Sequence, residues 1–176
     1  KGAAAGLIVA LMAACAPAHG GHEGDGYPGP VATSMPPIPI VPGKVPRIEG
    51  FSTAMKVGSV VYISGQVALD SLGNLVGPGD LATQAAQALA NLATVVRAAQ
   101  GVPSDVVRLT FYVVNWAPAD LKILQDASAT WFPATEAPAV TIVGVAALPR
   151  EDLLVAVDGI AVLRGQLPDR SRDRTH

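Results

Sequence analysis

The sequence predicts one α+β domain, in the order β-β-α-β-α-β-β, with two helices packed on one face of a single sheet. Three observations predict it. Runs rich in β-branched residues recur at 60–63 (VVYI), 106–115 (VVRLTFYVVN), 139–147 (AVTIVGVAA) and 153–163 (LLVAVDGIAVL). Between them, two segments place apolar residues three and four apart, the period of a helix with one buried face. Finally, residues 48–163 suffice for one core but are too few for two independent domains.

Before the domain, Lys1 precedes an uninterrupted apolar and small-residue run, Ala3 to Ala14. A membrane-spanning helix needs about 20 such residues, so this run matches the core of a secretory signal instead, assigned to residues 1–18. Leu11-Met12-Ala13-Ala14-Cys15 resembles a bacterial lipoprotein box, in which Cys15 is lipidated and becomes the mature N-terminus. The implied address is an exported, periplasmic or cell-surface lipoprotein that touches the membrane only through its lipid. Met12 departs from the usual Leu, which leaves cleavage near Ala14 or Ala18, or a retained anchor, as alternatives. As the single cysteine, Cys15 excludes an internal disulfide framework.

Residues 16–47 are rich in Gly and Pro, with prolines at 28, 30, 36, 37, 39, 42 and 46. Proline removes backbone donors and favours extended chain, so this segment reads as a tether. His19, His22, Glu23 and Asp25 have the chemistry of metal ligands. Their glycine-rich surroundings do not preorganise a site, and the reading is a solvated linker with no metal.

The domain opens with Phe51 to Gln66, two extended segments around a Val57-Gly58-Ser59 turn. Val60 to Ile63 reads as a strand covered on both faces, ending in Ser64-Gly65-Gln66, where a ligand can meet backbone. Residues 71–79 are turn-rich, and Asp80 is placed to cap a helix from Leu81 to about Gln100. Leu81, Ala85, Leu89, Leu92, Val96 and Ala99 form its apolar stripe, while Gln84 and Asn91 read as solvent or helix-contact positions. Gly101 and Pro103 end it. In the strand 106–115, Arg108, Thr110 and Tyr112 alternate with Val107, Leu109, Phe111 and Val113. A second helix runs from Pro118 or Ala119 to Trp131, with Leu121, Leu124, Ala127, Ser128 and Trp131 inward. The last two strands, 139–147 and 153–163, are apolar enough to need cover on both faces. The helix-free sheet face is then too apolar for a monomer, which predicts oligomerisation.

A formal charge of −2, with no basic cluster in the domain, argues against nucleic acid, because phosphate binding needs a concentrated positive face. Basic residues gather only in 164–176, where Arg164, Arg170, Arg172 and Arg174 stand with Asp169 and Asp173. That mixed segment reads as a solvated, disordered tail.

Four motifs in this order, VGSVVYISGQ, the helical Asn91, DVVRLTFYVVN and APAVTIVGVAALP, resemble the Rid family, also called YjgF-type enamine/imine deaminases. The resemblance covers about Ile48 to Leu163. It implies a chorismate-mutase-like fold, a barrel-like homotrimer with ligand clefts between subunits, and hydrolysis of amino-acid-derived enamines and imines without cofactor or metal.

The residues at the family's cleft positions are altered. Deaminating members carry Arg in Pro-x-Arg, a guanidinium fork suited to a carboxylate, where this chain has Val140 in Pro138-Ala139-Val140. The family's Tyr corresponds to Phe51, its cleft cysteine to Ile142, and an Asn on the second helix to Gln125. Its water-activating acid corresponds to Ala156, while Asp158 matches a second acidic position, assigned to the opposite face of the strand. Ser64 and Gly65 keep the family's form. Arg150 and Arg108 are the candidates to replace the lost clamp. The expected cleft, formed by Phe51, Ser64, Gly65, Gln125, Val140, Ile142 and Ala156, takes a small non-carboxylate ligand, with imine deamination lost or altered. The alternatives are a deaminase with relocated catalytic groups and a non-enzymatic scaffold trimer.

Overall fold

A computed structural model describes residues 35–164. Its strands are β1 (Ile38–Ile40), β2 (Ala54–Val57), β3 (Val60–Val67), β4 (Val106–Val114), β5 (Ala139–Val145) and β6 (Val155–Val162). The helices are α1 (Leu81–Ala98) and α2 (Leu121–Ala129), the latter entered through a 3-10 turn at Pro118–Asp120. The strands form one six-stranded sheet in the order β1-β2-β3-β6-β4-β5. All neighbours are antiparallel except β4 and β5, which run parallel through the α2 crossover.

Local chemistry accounts for the main elements. Gly58 takes φ +59 in the β2–β3 turn, a conformation that disfavours a side chain. Asp80 caps α1 by accepting from the Ala82 and Thr83 amides. The α1 stripe of Ala85, Leu89, Leu92, Val96 and Ala99 is buried, and α1 lies over β3 and β6 with α2 beside it. Arg97, in the last turn of α1, sits 5.4 Å above the Trp131 ring and joins the ends of the two helices. Where α1 meets the sheet, a Cβ on Gly159 would come within 3.0 Å of the Arg108 carbonyl and 3.3 Å of Leu92.

The strand expectations need several corrections. Strand β3 is covered on one face only: Val61 and Ile63 are buried under α1, whereas Tyr62 is 51% exposed. On β4 the register shifts between Val106 and Arg108, a bulge that leaves Val107 exposed while Leu109, Phe111 and Val113 point into the core. The two-sided cover expected for the last strands is not met: on the helix-free face of β6 only Ala156 is buried while Asp158 and Ile160 are half-buried and Val162 is exposed, and β5 is a sheet edge where Val140 and Val143 are exposed. On α2, only Leu124 is buried.

Both domain boundaries also move outward. Part of the expected tether is structured, since Ile38, Pro39 and Ile40 pair with Lys56, Met55 and Ala54 and Val45 is buried. A proline fits there because an edge strand has one side with no ladder to donate to. Arg164 belongs to the domain and not to the tail: its Nε donates to Oδ1 of buried Asp105 at 2.9 Å. The expected signal at 1–18, Cys15, the His19–Asp25 cluster and residues 165–176 lie outside the described residues. Among the described residues no helix is long and apolar enough to cross a membrane, and no group of three or more His, Cys, Asp or Glu converges on a metal position.

Candidate functional site

The expected cleft residues fall into three places in one protomer. The first is the β3 irregularity, where the pairing with β6 shifts between Ile63 and Gln66 and Ser64 and Gly65 have no register partner on β6. The Ser64 amide and hydroxyl both donate to the Thr53 carbonyl, at 3.0 and 2.8 Å. Gln66, itself buried, donates from Nε2 to the Ser64 carbonyl at 2.9 Å. These bonds hold the irregular segment in place. A Cβ at Gly65 would meet only the Ala156 side chain, at an ordinary 3.9 Å. Packing within the protomer therefore does not demand glycine there.

The second place is a cavity of about 580 Å³ between α2 and the β4–β5 edge. Val140 and Ile142 on β5 pair with Leu109 and Phe111 on β4, so all four face the helix side. Leu124 and Phe132 complete the apolar wall, and Gln125 and Ser128 are its longest polar and only hydroxyl side chains. No ionisable side chain lines this cavity. Gln125, Val140 and Ile142 are thus brought together as expected, and the place assigned to a carboxylate clamp is apolar.

Phe51 is the third, 73% exposed ahead of β2. Strands β3 and β5 are separated by β6 and β4, an interval of about 14 Å at the usual strand spacing. Ala156, opposite Tyr112, also faces the helix-free side, while Val140 faces the helices. A single chain does not gather all seven residues into one cleft.

The assignment of Asp158 to the face opposite Ala156 is wrong. Residues two apart on a strand share a face, and their partners Thr110 and Tyr112 do so as well. The Tyr112 hydroxyl donates to Asp158 Oδ2 at 2.8 Å. This bond, then burial and the negative charge of Asp158, raises the Tyr112 pKa above its ordinary value, with Thr110 and Arg108 opposing. The alternation of β4 put Tyr112 and Arg108 on one face, but the contact with Asp158 was not read from the sequence.

Neither candidate replacement for the clamp reaches the apolar cavity within the protomer. Arg150 donates from Nε to Asp152 at 3.0 Å and from Nη1 to the Gly73 carbonyl at 3.2 Å, which ties the turn before β6 to the 71–79 loop. Gln84 reinforces that tie and is fully buried, not solvent-facing. It donates to the Gly77 and Asp152 carbonyls and accepts from the Leu154 amide. Asn91 is buried too, donating to the Val67 and Leu69 carbonyls. Arg108 lies on the helix-free face.

This fold, a six-stranded mixed sheet with two helices on one face and an irregular third strand, is that of the YjgF/L-PSP proteins. The chain belongs to the Rid (YjgF) family: the family model described as Endoribonuclease L-PSP matches residues 43–163. It is 32% identical over 133 residues to a 2-iminobutanoate/2-iminopropanoate deaminase of Dermatophagoides farinae, covering 76% of this chain and 94% of that protein. A protein of the same name from Mus musculus is 35% identical over 120 residues, covering 68% of this chain and 86% of its own. Among solved structures, the Rid-family protein YyfA of Yersinia pestis superposes with a TM-score of 0.67 at 28% identity, over 73% of this chain and 100% of that one.

Proposed function

We propose that this chain is an exported Rid-family protein, anchored through a lipid on Cys15, which assembles as a homotrimer and binds a small non-carboxylate ligand in clefts between subunits. One observation carries the ligand reading. The cavity that holds Val140, Ile142 and Gln125 has no ionisable lining residue. A carboxylate entering it would give up its hydration without a cationic partner, a cost of several kcal/mol. The separation of Ser64, Gly65 and Ala156 from Val140 supports the inter-subunit part, because two copies set edge to face supply both halves of one cleft. Ala156 itself cannot activate water, a role typically worth ~10²- to 10⁴-fold.

A second reading is favoured by the names of the relatives in Dermatophagoides farinae and Mus musculus. In it the chain is an imine deaminase whose carboxylate-binding and proton-transferring groups come from other positions of a neighbouring subunit. The proposed location weighs against it, since reactive amino-acid imines arise where pyridoxal-phosphate enzymes work, mainly in the cytoplasm. An RNA-directed activity, which the family description suggests, is weighed against by the formal charge of −2 and by a domain sequence without a basic cluster.

A thermal-shift screen of the full chain tests the ligand reading. Neutral heterocycles, amides and ketones are expected to raise the melting temperature, and 2-oxo acids of similar size to leave it unchanged. Stabilisation by 2-oxo acids alone contradicts the reading, and stabilisation by nothing favours a scaffold. Mass spectrometry of the protein from cells tests the address: a diacylglyceryl-modified N-terminal Cys15 is expected, and an unmodified chain retaining Lys1 contradicts it.

A further inference from the structure

The helix-free face of the sheet carries its own recess, about 310 Å³ in volume, between β3, β6 and β4. Arg108, Thr110 and Tyr112 of β4 enter it beside Asp158 and Ile160 of β6 and Tyr62 of β3. The register sets Arg108 opposite Ile160 and Thr110 opposite Asp158, so the two charges are diagonal neighbours on one face. At that offset Cβ atoms stand roughly 7–8 Å apart. Among the described residues, neither Arg108 nor Asp158 takes part in an ion pair.

The carboxylate is nonetheless fixed in direction. The Tyr112 hydroxyl occupies one position on Oδ2, and a carboxylate has about four, so both oxygens still have free lone pairs. Around the charges the face is apolar and uncovered, with Tyr62 51% and Val162 39% exposed. Tyrosine and arginine set in an apolar patch are the composition of a subunit-interface core. A face that offers one guanidinium and one oriented carboxylate is complementary to another copy of itself.

We infer that Arg108 of one copy pairs with Asp158 of a neighbouring copy, and that this contact fixes how the sheets meet in the oligomer. The inference rests on the homo-oligomer reading given above and adds the residues that hold it. Enclosed by Tyr62 and Val162, the pair is shielded from solvent, and removing one partner leaves the other charge buried and unpaired. Tyr112 is a positioning residue here, since it holds the carboxylate toward the incoming guanidinium.

Charge reversal in the full chain, read by sedimentation velocity and native mass spectrometry, tests this. Arg108→Asp or Asp158→Arg alone should raise the concentration at which the oligomer dissociates by about 10²-fold or more. The milder Asp158→Asn, which keeps an acceptor for Tyr112, should weaken assembly in the same direction. Mixing the two reversed chains should give hetero-oligomers that neither forms alone, and the double swap R108D/D158R should restore homo-oligomers. Single reversals that assemble like the parent overturn the inference while leaving the oligomer reading intact. Rescue by the double swap with mixed chains no more associated than either reversed chain alone also overturns it, because the pair is then internal to one chain. In a ring of three one repelled contact remains, so mixing restores assembly only in part. A monomeric parent protein overturns both.

Discussion

The two faces of this sheet divide its chemistry. On the helix side, α1 seals β3 and β6, and the space left beneath α2 is an uncharged cavity. On the helix-free side, Arg108, Asp158, Tyr112 and Thr110 gather in one recess. A cavity without ionisable groups selects by shape and by single hydrogen bonds such as Gln125 can make. A face that pairs a guanidinium with an oriented carboxylate selects for a partner of matching charge pattern. The same fold thus keeps an uncharged cavity and a charged recess on opposite faces of one sheet.

Substitutions on each side sharpen that contrast. Leu92, 1% exposed on the buried face of α1, is in the core, and Leu92→Ala should lower unfolding free energy by about 2–5 kcal/mol in denaturant titration. A next, smaller effect concerns the cavity. Val140→Arg places a guanidinium where none of the lining groups is charged, and should tighten 2-oxobutanoate binding by ~10-fold or more in calorimetry. An unchanged affinity would mean that the helix-side cavity is not the ligand surface.

Acid stability tests the closure of the domain at its C-terminal end. Burial raises the Asp105 pKa, but hydrogen bonds from the Val102 amide and the Arg164 guanidinium outweigh it and hold the group below the ordinary carboxylate value. A depressed folded-state pKa means that the contribution is complete above the unfolded value and fades as pH falls through the folded one. Asp105→Asn should therefore flatten the loss of stability below about pH 4, measured by melting temperature against pH. The smallest effect is expected at Gly65, where an added methyl meets only Ala156 at 3.9 Å. Gly65→Ala should change protomer stability by no more than about 1 kcal/mol. If it impairs ligand binding or assembly all the same, the partner approaches Gly65 from outside the protomer.

Much of this architecture was legible in the sequence because its signals are local. The α1 stripe, the Asp80 cap and the Gly58 turn each follow from neighbours in the chain. What escaped depended on distant partners. Whether Tyr62 is covered depends on whether anything packs on the helix-free face, not on the run VVYI itself. Val107 points outward because of a bulge that alternation cannot anticipate. Pro39 hid an edge strand inside a proline-rich tract, and Arg164 looked like tail until Asp105 was placed beside it. The apolar residues Val140 and Ile142 were readable against the family motif, and with Gln125 they line one cavity. The Tyr112–Asp158 contact was not readable, because it joins residues 46 positions apart on neighbouring strands.

We propose that the Rid cleft in this chain lacks the means to hold and hydrolyse a carboxylate-bearing imine. Keto-acid release from freshly generated 2-aminoacrylate or iminoleucine, followed with the full assembled protein, tests it most directly. Release is expected at the rate of free solution, unchanged as protein is added. Release that accelerates in proportion to protein and saturates with substrate would contradict it.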